Sequence, residues 1–311
     1  MNKKSLKITT GAMVTAIFGV MLLLNRQTGS LFQGVFLFIY PIPMVAYAAL
    51  YGWKSGIPAL LAMTLLSFLL GDFTTIFYAV TQAFVGLVFG GCLYHKIDMT
   101  KILFAVMILS ALISVLNIIM MEFLSGIDLN QEVEEMQKMM NFAFSQADVD
   151  VPEIMLTAAY LKQILVVSII LVGIVQGFVV YEISLLILRR LRFPVQKSKS
   201  LFLYVPPKWT GYGALLAFIL YSIRMVQPLE NDMMQNIVLT VGIFGYLYLI
   251  CFGFIGILLV LKVRFPRIGA WGFVICLLGL FMFPTMELVA GFIYIVSRYH
   301  SDLLEQYMAL K

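Results

Sequence analysis

Apolar residues run along this chain in long unbroken blocks rather than in alternation. Such blocks cover roughly 8–25, 31–52, 56–70, 73–94, 101–125, 159–188, 209–226, 233–262 and 268–297. Most approach the ~20 residues that a helix needs to cross ~30 Å of hydrocarbon. The lack of a period-two pattern excludes a membrane β-barrel. The prediction is an all-α, polytopic integral membrane helical bundle with about nine transmembrane helices. Eight or ten also fit, because Pro284 and Glu287 interrupt the last block, which is either one tilted helix or a broken pair.

The small and polar residues inside the blocks carry the finer reading. In the first block Ala12, Ala16 and Gly19 share one helical face, with Gly11 and Thr15 beside them, so another helix can approach the backbone closely. Either a partner docks there or the protein's own helices pack there. In the second, Pro41 and Pro43 remove two backbone donors and predict a kink or break, which either lines a cavity or simply bends the helix. Asp72, after Gly71, is placed to cap the helix that follows. The fourth block then carries Thr75, Tyr78 and Gln82 above Gly86-xxx-Gly90. The fifth carries Ser110, Ser114 and Asn117, with Glu122 near its outer end. In the sixth come Tyr160, Gln163 and Ser168, then Gly173-xxx-Gly177 with Gln176 between. Polar side chains in lipid turn toward protein or a cavity, so three neighbouring spans that are polar in the same half point to a small site opening on that side. Each residue taken alone also serves as interhelical hydrogen-bonding glue.

Two connecting segments stand out. Residues 126–158 hold seven carboxylates (Asp128, Glu132, Glu134, Glu135, Asp148, Asp150 and Glu153) against Lys138, a net charge of −6. Leu129, Val133, Met136, Met140 and Phe144 recur there at helical spacing, and Asp128 with Gln131 resembles a capping box. This amphipathic helix is either a lid over the bundle or a helix resting on its surface. Its acidity disfavours a polyanionic ligand. Arg189, Arg190 and Arg192 lead into a basic, proline-containing linker at 193–208, suited to anionic lipid headgroups. The linker divides a core at 1–192 from C-terminal membrane helices at 209–311. Glu287 is the one acid deep in the latter, either functional or held by a hydroxyl or by backbone freed at Pro284.

Composition agrees with the pattern. Hydrophobic residues make up 62% and charged ones 12%, about half the charged share of a soluble domain, about 25%. Fifteen of the 21 lysines and arginines fall on the side that holds the N-terminus, which predicts a cytoplasmic N-terminus in a multi-pass cell-membrane protein. The net charge of +5 is then a mark of orientation and makes no case for nucleic acid. Lys3, Lys4 and Lys7 imitate a secretory signal, but no small-x-small cleavage site follows, and Asn25-Arg26-Gln27 closes an uncleaved span. Cys92, Cys251 and Cys276 lie in apolar blocks and are expected as free thiols. His95 and His300 have no second ligand at metal spacing, so neither metal nor cofactor is expected. No phosphate loop, zinc-peptidase motif or nucleophile elbow occurs, and the expectation is that the chain is not an enzyme.

A short cytoplasmic start, Ala12-xxx-Ala16 in the first helix, a second span closing at Tyr51-Gly52 and a long outer loop before the sixth span resemble the substrate-binding S-component of energy-coupling-factor transporters. That resemblance covers about residues 8 to 192. The whole chain, with its basic linker and further spans, resembles the YybS-like family of bacterial predicted membrane proteins. The first resemblance implies a small-molecule-binding subunit of an ATP-driven uptake system, coupled to a T-component and two ATPase subunits. It implies docking through Ala12, Ala16 and Gly19, and substrate held in the outer half by residues such as Asn25, Arg26, Tyr78, Gln82, Ser114, Asn117 and Gln163. The chain's own residues leave a second reading open, a non-transporting membrane scaffold or interaction protein.

Overall fold

The computed structural model describes residues 3–126, 129–147, 157–193, 202, 206–227, 229, 231–268, 271–297 and 299–309. In chain order the helices are α1 (Lys3–Gln27), α2 (Gln33–Ile39), α3 (Pro41–Tyr51), α4 (Trp53–Leu70), α5 (Phe73–Tyr94), α6 (Met99–Ser125) and α7 (Leu129–Ala147). They continue with α8 (Ala158–Arg190), α9 (Lys208–Val226), α10 (Asp232–Arg264), α11 (Trp271–Met282), α12 (Pro284–Val296) and α13 (Tyr299–Ala309). Among the described residues there is no strand. Among the described residues, eight stretches are long and apolar enough to cross a membrane, with α2 and α3 counting together as one. The last apolar block is the broken pair: α11 has 12 residues and α12 has 13, so each spans only ~18–20 Å.

The break between α2 and α3 follows from proline chemistry. Pro41 and Pro43 sit in the first turn of α3, where a missing N–H costs that helix nothing. Tyr40 keeps right-handed helical geometry, so the backbone bends without becoming a loop. The carbonyl of Leu37, however, has lost its donor four residues on, because that residue is Pro41. Gln176 of α8 replaces it, with Nε2 donating to the Leu37 oxygen at 3.3 Å.

The chain divides into two compact units. The first comprises Met1–Leu129 and Ser168–Ser198. Here α3 packs against α5 almost backbone to backbone: a Cβ on Gly90 would lie 2.6 Å from the Val45 carbonyl oxygen, and Gly86 faces Pro41. Gly173 and Gly177 let α8 approach α6 in the same way, with Ala111 Cα and Met107 Cα 2.6 and 2.7 Å from the Cβ positions. One core gathers Phe18, Leu22, Tyr40, Met44 and Met63, and a second gathers Val85, Phe89, Ile102, Tyr181 and Leu185.

The second unit comprises Asn130–Val167 and Lys199–Lys311. Its axis is α10, which starts at an Asn231 cap accepting from Met233 N and Met234 N at 3.0 and 3.2 Å. Gly242 and Gly245 of α10 admit α9, and Gly253 admits α12 so closely that its missing side chain would overlap the Glu287 carbonyl. Aromatic rings fill the rest, including Phe218 on Tyr246 at 5.4 Å and Phe252 on Tyr294 at 6.2 Å. In α7, Val133 is buried and Met136, Met140 and Phe144 are half-buried, while Met139 and Phe142 are exposed. The capping-box residue Asp128 and the acids Asp148, Asp150 and Glu153 lie outside the described residues, as does linker segment 194–201.

Candidate functional site

The end of the first unit where α1 stops and α5 starts is the one the charge pattern assigns to the outside. The side chain of Asn25, in the last turns of α1, is 0% exposed. Its Nδ2 donates to Thr75 Oγ1 of α5 at 3.0 Å. Asp72 holds the N-cap position of α5 with extended backbone, yet makes no cap hydrogen bond. Its Oδ2 instead accepts from the Ser30 hydroxyl at 3.0 Å and from Thr74 Oγ1 at 3.5 Å. Ser30 is delivered by a tight turn in which Gly29 and Ser30 both take positive φ, 60° and 62°. Burial pushes the Asp72 carboxyl up, but the hydroxyls of Thr75 and Ser30, together with the backbone N–H groups of Asp72 and Thr75, hold the group below the usual carboxylate range.

Several atoms in this region are buried without a hydrogen-bond partner among the described residues: Asn25 Oδ1, Asp72 Oδ1, Gln82 Oε1 and the Tyr40 hydroxyl. Buried polar atoms are nearly always paired, so these unpaired ones are the groups here with hydrogen-bonding capacity left to offer a polar partner. Gln82 is 1% exposed and Tyr40 is fully enclosed against Phe18 and Phe36. The Tyr40 hydroxyl lies within electrostatic reach of Asp72.

The other residues expected from the sequence separate into groups. Asn117 and Thr81 answer each other, Nδ2 to Oγ1 at 3.2 Å and Oγ1 to Oδ1 at 3.3 Å, which ties α5 to α6. Ser114 returns its hydroxyl to the Ser110 carbonyl at 3.0 Å. Tyr78 is half-buried and Arg26 is exposed. Gln163 belongs to the second unit, and neither of its amide atoms finds a partner among the described residues. On α1 the small stripe divides. Ala12 and Ala16 are exposed, whereas Gly19 is buried, with its Cβ position 3.2 Å from Leu66 Cδ1. Tyr40 and Ser30 are the site members that pattern reading does not select; Thr75 stands in the polar stripe of the fourth block, and Asp72 reads as a cap. The proline pair beside Tyr40 is the available signal.

In the second unit, Glu287 lies in the first turn of α12 and is 1% exposed. Neither carboxyl oxygen has a partner among the described residues. A charged acid at mid-span costs about 2.5–3.5 kcal/mol on an insertion scale, and the positive end of the α12 dipole offsets only part of that. Among the described residues, no group of three or more His, Cys, Asp or Glu side chains is placed to hold a metal ion.

Comparison with curated proteins and with solved structures yields no match. A family model does match, over residues 16–293, which takes in the α1 to α12 bundle, the Asn25–Asp72–Gln82 region and Glu287. Eight apolar spanning stretches and that match together place the chain in a family described as predicted membrane protein (DUF2232), to which it belongs.

Proposed function

We propose that the first unit binds a small polar molecule at its outer end, as the S-component-like subunit of an ATP-driven uptake system. The chain itself is then no enzyme, and a separate T-component and two ATPase subunits supply the energy. The observation that carries this reading is the cluster of unanswered acceptors in an apolar bundle: Asn25 Oδ1, Asp72 Oδ1 and Gln82 Oε1, with the Tyr40 hydroxyl. Acceptors that include a carboxylate suit a donor-rich molecule, neutral or cationic. A broken helix at membrane depth is a recurrent place for such a site, because freed backbone groups and a cavity go together. The exposed Ala12 and Ala16 leave a small-residue face open for a partner helix.

A membrane scaffold is the competing reading. The Asn117–Thr81 pair favours it locally, because it ties α5 to α6 with no ligand between them. Gentle purification of the chain from its native membrane, followed by mass spectrometry, separates the two. Recovery of a T-component, ATPases and one small molecule is the expected result. Their reproducible absence, with a cell-envelope protein in their place, contradicts the proposal.

A further inference from the structure

Glu287 belongs to the second unit, not to the unit that carries the small-molecule site. We propose that it is a proton-binding site of the second unit, a carboxyl that takes up and returns a proton inside the apolar layer. An acid kept only to join helices is held by donors, and here both oxygens are unanswered while the residue is 1% exposed. No lysine, arginine or histidine among the described residues reaches them. Among the described residues, the titratable groups within electrostatic reach of the carboxyl are Tyr246 and Cys251 of α10 and Cys276 of α11. A phenol and two thiols neutralise no charge, but they are donors of the kind an ionised carboxylate accepts from.

A protonated carboxyl is a donor, and the break between α11 and α12 frees a backbone acceptor. Pro284 has no N–H, so the Leu280 carbonyl lacks its helical donor where α11 gives way to α12. Gly279, one residue before Leu280, would bring a Cβ to 3.5 Å from Glu287 Oε1, so the carboxyl stands at this break. Gly253 on α10 and Gly291 on α12 pack their backbones together and hold the acid's own turn rigidly. The step is the addition of a proton from water to a carboxylate oxygen and its return, with no other bond made or broken.

The test is infrared spectroscopy of the full chain in lipid nanodiscs, comparing wild type with Glu287→Gln. The expected result is a carboxylic C=O band that is absent from the variant and, in wild type, fades as pH is raised and returns when pH is lowered. A band that stays constant over the whole pH range in which the protein remains folded overturns the proposal, as does a spectrum identical in the two proteins. If Glu287→Gln does not fold, wild type is treated with dicyclohexylcarbodiimide, which attacks protonated carboxyls in apolar surroundings. An adduct mapped to Glu287 whose yield falls with rising pH supports the proposal. No adduct there, or one indifferent to pH, overturns it.

Discussion

The two units meet the same demand, polar atoms among apolar helices, with different materials. The first distributes amides and hydroxyls and pairs several of them across helices: Asn25 with Thr75, Asn117 with Thr81, Gln176 with Leu37. The second fills its interior with aromatic rings and glycine contacts and, among the described residues, leaves the buried acid Glu287 unpaired. The difference bears on function. Neutral groups that are nearly satisfied leave a few free acceptors with fixed directions, which suits recognition of a molecule. A solitary acid offers no shape to recognise, only a charge that appears or disappears with a proton.

The backbone contacts are where that comparison breaks most visibly. Gly90→Val in the first unit and Gly253→Val in the second each drive a branched side chain into a facing backbone carbonyl, which has no flexible end to yield. Each is expected to cost about 3 kcal/mol, the upper range for overpacking, read as a lower apparent melting temperature in detergent. A variant that melts like wild type shows that the helices in that unit have room to part.

Hydrogen bonding gives the next largest effect, and it is unequal within the first unit. Gln176→Leu leaves the Leu37 carbonyl buried and unpaired, a loss of about 1–3 kcal/mol. Asn117→Leu removes a side-chain pair that Thr81 partly replaces with its own backbone, since Thr81 Oγ1 also reaches Phe77 O at 2.8 Å; about 0.6 kcal/mol is expected. Equal losses in the two variants show that the proline break does not depend on α8.

Acid titration comes third. The carboxyl of Asp72 is held below its ordinary range, so it contributes stability above its unfolded pKa, ~3.9, and loses that contribution as pH falls through the lower folded value. Asp72→Asn should therefore flatten the acid limb of a melting-temperature curve against pH, by a small amount because the group is partly exposed. Unchanged limbs in both proteins contradict the Ser30–Asp72 link. Smallest is the α1 surface: Ala12→Leu with Ala16→Leu should move stability by no more than about 0.5 kcal/mol, while any partner captured through that face is lost. Unfolding of this variant shows that the face is packed within the protein.

The spans were legible because a run of apolar residues reports length directly, and the kink at Pro41 because proline's missing donor acts locally. The amphipathic period of α7 was legible for the same reason. The division of the α1 stripe was not. Gly11, Val14, Phe18, Leu22 and Asn25 form the buried face, Gly19 sits at its rim under Leu66, and Ala12 and Ala16 lie beyond it. Spacing relates those residues to each other but does not say which neighbour covers them. The site was only half legible: Asn25 and Gln82 stood out as polar residues in apolar runs. Their connection runs through Thr75, fifty positions from Asn25, and through an aspartate whose turn position suggested only a cap. Contacts over such separations depend on how α1 and α5 stand together, which periodicity within one helix does not encode.

The most direct test of the binding site is native mass spectrometry of the full chain purified from its own membrane, as wild type, Asn25→Leu, Gln82→Leu and Asn117→Leu. One small molecule should travel with wild type and with Asn117→Leu and be lost from Asn25→Leu and Gln82→Leu while all four remain folded. A molecule retained equally by all four, or lost from Asn117→Leu alone, contradicts the placement of the site.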